Sequence, residues 1–147
     1  MIYVAIAHAD FLPERRESLA KVLAKIEPLP KNVRLELITG KCPVWERGER
    51  AYRWCGQGTD GDIGLYLTDD VALDDDFWVK LRTVAEGIPN EVVSLFCSHR
   101  ASLSAYEAGH SHVTTCDGLI GLAFFAPCWM FREWADLIAR SDWKNLR

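Results

Sequence analysis

Two short and almost continuous apolar segments constrain the fold of this chain more than any other feature. Residues 2–7 have the sequence IYVAIA, and residues 62–67 have the sequence DIGLYL. A strand with one face in water alternates apolar and polar residues, so an unbroken apolar run of this length indicates a strand that is covered on both faces. Sheets of that kind are typical of α/β proteins.

Segments with helical spacing separate these strands from others. A helix is predicted from Pro13 to just before Pro28, because apolar residues recur there at intervals of three and four. Alternation of this kind predicts an α/β, three-layer sandwich with a central, mostly parallel sheet, in one domain spanning residues 1–147. The further predicted strands are 33–38, 91–96 and 118–127, and the further predicted helices are 45–56, 75–87 and 128–140.

Composition excludes several classes of protein. A formal net charge of −4 argues against broad electrostatic binding to nucleic acid or to anionic lipid. The five cysteines include no C-x-x-C pair, which favours reduced thiols. The first residues form a strand and carry no basic leader, and no apolar run approaches the roughly 18–20 residues of a membrane span. We therefore expect a cytoplasmic protein.

The predicted topology places the functional residues at one edge of the sheet. Right-handed crossovers bring all strand-to-helix loops to the same edge, and ligands of such sheets bind outside the carboxyl ends of the strands. The segments expected there are 8–10, 39–40, 68–70 and 98–100.

Five aspartates follow the strand at 62–67 within eight positions. Asp69 and Asp70 end the strand, where two adjacent carboxylates favour either a hard divalent cation such as Mg²⁺ or Mn²⁺ or a capped turn. The later three, at positions 74–76, are predicted to cap the next helix and to interact with its dipole.

Other polar residues are weaker candidates. His110 and His112 lie two positions apart and could supply a metal ligand or be solvated. Asp117 precedes the last predicted strand and could act as a general base or as a turn residue. Arginines on the first two predicted helices could bind phosphate or lie at the surface. No P-loop, G-x-G-x-x-G or G-x-S-x-G motif is present.

Four segments, taken in order, resemble the GT-A fold glycosyltransferases, which use nucleotide sugars. IYVAIAHADFLPERRESLAKVLAKI resembles the opening strand and helix of that family. WERGERAYRWCGQGTDGDIGLYLTDDV resembles its helix, turn and strand before the acidic metal motif, and VALDDDFWVKL the stretch beyond it. CDGLIGLAFFAPCWMFREWADLI resembles the acceptor-side segment.

The resemblance implies a Rossmann-like GT-A fold and specific roles. Asp70 would coordinate Mn²⁺ or Mg²⁺, with His112 completing the metal site, and Asp117 would deprotonate the acceptor hydroxyl. The nucleotide would contact His8, Asp10, Arg16 and Asp69. The implied partners are a nucleotide-sugar donor and a hydroxyl acceptor; because the chain is short for the family, its acceptor site is either small or completed by a second copy in a homo-oligomer.

Two other functions stay open at the level of sequence. One is a nucleotide-binding or regulatory module without catalysis. The other is a Mg²⁺-dependent phosphoryl-transfer or nuclease domain that uses the same aspartates.

Overall fold

The structure is a computed structural model that describes residues 1–95, 107–109 and 123–141. None of the helices in these ranges is long and apolar enough to cross a membrane. The strands are β1 (Ile2–Ala7), β2 (Val33–Ile38), β3 (Ile63–Thr68), β4 (Val93–Ser94) and β5 (Ala123–Pro127). The helices are α1 (Pro13–Ile26), α2 (Val44–Cys55), α3 (Phe77–Gly87) and α4 (Cys128–Arg140).

The strands form one mixed sheet in the order β2-β1-β3-β5-β4. β1 pairs in parallel with both β2 and β3, whereas β5 runs antiparallel to β3 and to β4. Four of the five described strands therefore point the same way, which confirms the prediction of a mostly parallel sheet. The reversed direction of β5 was not predicted. β3 lies in the interior of the sheet, as expected for residues 62–67.

Alternate residues of β1 are buried in two separate apolar clusters. Val4 and Ile6 belong to the cluster that α1 and α3 complete with Leu19, Val22, Ile26, Phe77 and Leu81. Ala5 belongs to the cluster that α2 and α4 complete with Ala51, Cys55 and Phe131. The apolar segment of β1 is thus covered on both sides, and this coverage is the reason for its unbroken apolar sequence.

Aromatic rings fasten α2 to α4 and to the sheet. The rings of Phe124 and Phe131 stack with centroids 5.5 Å apart, and the Tyr52 ring meets the Phe131 ring edge-on at the same separation. Trp134 lies 5.2 Å from Phe131. Aromatic pairs of this geometry stabilise the fold beyond the effect of the apolar area that they bury. The cluster that contains Ala5 and these rings therefore sets the orientation of α2.

Two sequence-based expectations about element ends are corrected. The predicted strand 91–96 is limited to Val93–Ser94 among the described residues. The predicted capping of α3 holds for position only, because Asp76 occupies the N-cap but its side chain makes no hydrogen bond to the helix. The carboxylates instead pair with lysines: Asp74 and Asp76 with Lys80, and Asp75 with Lys25.

Gly64 on β3 provides the sharpest test of this packing. A Cβ atom at this position would lie 2.4 Å from the Phe131 ring and 2.8 Å from Cys55, so the α2–α4 layer approaches the sheet only because a side chain is missing here. We expect Gly64→Ala to lower the free energy of unfolding by about 1–3 kcal/mol, the usual effect of overpacking a core. Urea unfolding measures the change.

Gly61 is the matched control for this substitution. A Cβ atom there would meet nothing within 4 Å, so Gly61→Ala should leave the free energy of unfolding within about 0.5 kcal/mol of wild type. Equal losses in the two variants would contradict the close approach of Phe131 to β3.

Candidate functional site

The strand order reverses between β1 and β3, and the edge at the carboxyl ends of these two strands is called the crevice below. From β1 the chain crosses to β2 on one side, and from β3 it continues to α3 and the β4 side of the sheet. Such a reversal of direction is the point at which open α/β sheets bind ligands. His8 follows β1 and Asp69 follows β3, so both lie at this crevice.

Asp69 is the most deeply buried charged side chain of the described residues, with 0% of the residue exposed. Its Oδ2 atom lies 2.8 Å from Nδ1 of His8 and accepts a 2.9 Å hydrogen bond from the backbone N–H of Ala9. Because a carboxylate accepts, Nδ1 is the protonated nitrogen of the imidazole. The two chain segments that follow β1 and β3 are therefore joined by a buried polar contact.

Arg15, in the first turn of α1, contacts both aspartates. Its Nε atom lies 3.0 Å from Oδ1 of Asp69, and its Nη1 atom pairs with Oδ2 of Asp70. The first contact is an ion pair without hydrogen-bond alignment, since neither Nε nor Oδ1 has a hydrogen-bond partner in the described part of the chain. One guanidinium thus bridges two carboxylates.

This bridge determines the ionisation of Asp70. Burial acts to raise the pKa of Asp70, but the hydrogen bond from Arg15 and the charge of Arg15 outweigh it, so the pKa lies below its usual value. The Asp70 side chain keeps 34% of its surface exposed. It is therefore an ionised carboxylate that a ligand in the crevice can reach.

A second group of polar contacts holds the loop after β2 at the same edge. Oδ1 of Asp10 accepts a 3.1 Å hydrogen bond from the backbone N–H of Gly40, which turns the chain at φ +104°, a conformation that favours glycine. Arg47 and Arg50 of α2 donate to the carbonyl oxygens of Gly40 and Thr39 at 3.0 and 2.9 Å. Two guanidinium groups therefore lie beside the crevice.

An exposed aromatic side chain lies next to these arginines. The guanidinium carbon of Arg47 lies 5.8 Å from the centre of the Phe11 ring, and Phe11 is 46% exposed. A cation over an aromatic face is a favourable arrangement. The rim of the crevice thus combines an apolar surface with positive charge.

The structure brings together four of the seven predicted site residues: His8, Asp10, Asp69 and Asp70 lie at the carboxyl ends of β1 and β3. Arg16 is exposed, and the neighbouring Arg15 makes the contacts with the aspartates. His112 and Asp117, like the weaker candidate His110, lie outside the described residues.

The contribution of Arg15 had a signal in the sequence. Leu19, Val22 and Ile26 are the buried residues of α1, and position 15 precedes Leu19 by four and Val22 by seven. Residues at these intervals share one face of a helix. Arg15 therefore extends the inward face of α1, whereas Arg16 is turned away from it.

The described residues do not by themselves make up a divalent-metal site, and the predicted ligand His112 lies outside them. They contain no group of three or more His, Cys, Asp or Glu side chains that could hold one. The oxygens of Asp69 are occupied by His8, Ala9 and Arg15, and Asp70 has a guanidinium at hydrogen-bond distance. Mn²⁺ and Mg²⁺ need carboxylate oxygens that are free to coordinate, and only Asp70 could offer one.

Comparison of the chain with protein-family models, with curated proteins and with solved structures gives no match.

The adjacent aspartates make a matched test of the buried network. Asp69→Ala leaves His8 and the Ala9 N–H without their buried acceptor and Arg15 without its buried counter-charge, so we expect a loss of about 3–5 kcal/mol in the free energy of unfolding. Asp70→Ala breaks a partly exposed pair and should change it by at most about 1 kcal/mol. If urea unfolding gave similar losses in the free energy of unfolding for Asp69→Ala and Asp70→Ala, the inferred difference in burial would be contradicted.

A second prediction concerns pH. Because the pKa of Asp70 is lowered on folding, its ionised form stabilises the fold fully above the unfolded-state pKa of about 3.9, and this contribution is lost as the pH falls through the lower folded-state pKa. The stability of wild type relative to Asp70→Asn should be constant above about pH 5 and fall below about pH 4. Urea unfolding at a series of pH values measures it, and a flat difference down to pH 2 would refute it.

Proposed function

We propose that the chain binds a nucleoside-diphosphate sugar in the crevice between β1 and β3 and transfers the sugar to a hydroxyl acceptor. The proposal includes a three-layer arrangement of GT-A or Rossmann-like type, in which α1 and α3 cover one face of the sheet and α2 and α4 the other. It joins the resemblance of the four sequence segments to the geometry of the crevice.

The observation that carries the proposal is the buried contact of Asp69 at the crevice. A buried carboxylate is expensive unless it is paired and hydrogen-bonded, and an apolar core of similar volume is often as stable. Here the charge lies beside a ligand-binding edge, and His8 and Arg15 are held against it. Polar networks that fix charged side chains in this way are characteristic of sites that need fixed geometry.

The groups at the crevice match the parts of a nucleotide sugar. Asp10 uses Oδ1 for the Gly40 N–H, which leaves Oδ2 to accept from the ribose hydroxyls. Arg15 and Arg47 provide guanidinium groups, whose planar donors suit the oxygens of a diphosphate. Asp70 offers a reachable carboxylate to a sugar hydroxyl.

The chemistry of transfer then assigns the protein its tasks. The bond between the anomeric carbon and the diphosphate oxygen breaks, and the acceptor oxygen forms a new bond to that carbon. The electron pair stays on the diphosphate, where positioned guanidinium groups stabilise the developing negative charge. The acceptor proton goes to a base, the role that the resemblance gives to Asp117.

Binding of a nucleoside diphosphate is tested by thermal unfolding with UDP, GDP and dTDP. A ligand at a hundred times its dissociation constant stabilises the fold by about 2.7 kcal/mol, which raises the melting temperature by several degrees for a chain of this size. We expect such a shift with at least one of the three nucleotides. The absence of any shift would refute the proposal.

Asp10→Asn locates the nucleotide in the crevice. The amide oxygen can still accept from Gly40, but the second acceptor is lost, so we expect the dissociation constant to rise about 10- to 100-fold while the unliganded melting temperature stays near that of wild type. Asp75→Asn is the control, since Asp75 pairs with Lys25 near the far end of α1. Equal weakening in both variants would place the nucleotide elsewhere.

Turnover separates the proposal from the two alternatives. Incubation with the corresponding nucleotide sugar and a panel of sugar acceptors should release nucleoside diphosphate and add one sugar mass to an acceptor. Binding without release would identify a non-catalytic nucleotide-binding module. Release of inorganic phosphate, or cleavage of a nucleic acid with Mg²⁺, would identify a phosphoryl-transfer or nuclease domain.

A further inference from the structure

The acidic pair after β3 already contains a cation that is part of the chain. Arg15 contacts Asp69 through Nε and Asp70 through Nη1, so its guanidinium lies between two carboxylates that are adjacent in sequence. The charge of one carboxylate is balanced by this group. His8 and the backbone N–H of Ala9 donate to the other oxygen of Asp69.

This geometry conflicts with the metal site that the sequence predicts. A divalent ion at Asp70 would lie within a few ångströms of the guanidinium, and the repulsion between a double and a single positive charge at that distance is substantial even in water. Asp69 cannot compensate as a second ligand, because it is buried and its oxygens face His8, Ala9 and Arg15.

Arg15 also has donors left for a ligand. Its Nη2 atom makes no hydrogen bond to the described residues, and 29% of the side chain is exposed. A guanidinium carries five N–H donors in a fixed plane. With one edge held by two carboxylates, the rest of the group can donate to an anion in the crevice.

We propose that Arg15 is the resident cation of this site: it takes the place at Asp70 that a divalent metal would occupy, and it makes nucleoside-diphosphate binding independent of metal. The first half of the proposal stands on the contacts of Arg15 alone. The second half rests on the proposed function. A metal ion and Arg15 therefore compete for Asp70.

The first experiment measures metal binding without nucleotide. Free Mn²⁺ is followed by electron paramagnetic resonance during titration of wild type, Arg15→Gln, Arg16→Gln and the double variant Arg15→Gln/Asp70→Asn. We expect Arg15→Gln to bind Mn²⁺ at least about tenfold more tightly than wild type, because a positive charge leaves Asp70. The double variant should return to the wild-type affinity.

Arg16→Gln is the matched control, because it removes the same charge from the neighbouring, exposed position of α1. It should bind Mn²⁺ as wild type does. The proposal is overturned if wild type binds Mn²⁺ as tightly as Arg15→Gln, if Arg16→Gln gains equally, or if the double variant keeps the gain. Arg15→Lys keeps the charge and should bind Mn²⁺ with the wild-type affinity. If Arg15→Gln does not fold, the Mn²⁺ affinities of Arg15→Lys and Asp70→Asn are compared instead.

The second experiment needs no variant. Thermal shifts of wild type with the nucleoside diphosphates are compared in EDTA and in Mn²⁺, and we expect equal shifts. A shift that vanishes in EDTA overturns the metal-independence of binding. If no nucleotide gives a shift in either condition while the Mn²⁺ titrations follow expectation, the proposed function fails and the assignment of Arg15 stands.

Discussion

The buried carboxylate of Asp69 is the interaction on which the arrangement of the crevice depends. A charge without exposure to water must be matched by partners at fixed positions, and here the partners come from two parts of the chain, the segment after β1 and the first turn of α1. The parallel register of β1 and β3 places Ala7 opposite Thr68, so the next residues, His8 and Asp69, meet beyond the ends of the strands. The first turn of α1 then has to bring Arg15 to the same carboxylate.

The two apolar clusters explain how helices on opposite faces contribute to one edge. The burial of Leu19, Val22 and Ile26 fixes the rotation of α1 about its axis, and this rotation aims Arg15 at the aspartates. On the other face the aromatic cluster holds α2, whose Arg47 reaches the loop after β2. Side chains chosen for packing thus determine where charged groups lie, although no charged group takes part in either cluster.

Local periodicity predicted β1, β2, α1 and the interior position of β3, because each depends on residues near in sequence. The antiparallel direction of β5 depends on pairing with a strand about sixty residues away, which no local pattern records. The contacts of Asp69 depend in the same way on residues distant in sequence. His8 and Asp69 are separated by 61 positions. The sequence therefore predicts that both lie at one edge of the sheet, but it does not show that the His8 imidazole hydrogen-bonds to the Asp69 carboxylate. The spacing of the apolar residues of α1 was enough to predict which face of the helix bears Arg15.

Unequal burial gives the two aspartates different relations to Arg15. Asp69 has no exposed surface and contacts Nε of Arg15 from the interior of the fold. Its loss would leave the His8 and Ala9 donors unpaired there. Asp70 holds Nη1 at the surface, where water or a ligand can replace it. Under the proposed function, an anion in the crevice meets a guanidinium whose position was fixed during folding, and Nη2 can donate to it while Nε and Nη1 stay with the two aspartates. Charge stabilisation of this kind needs little reorganisation when a ligand binds, which is the property that makes preorganised donors effective. A cation supplied by the first turn of a helix is part of the fold, and it is present in the site whether or not a metal ion is bound.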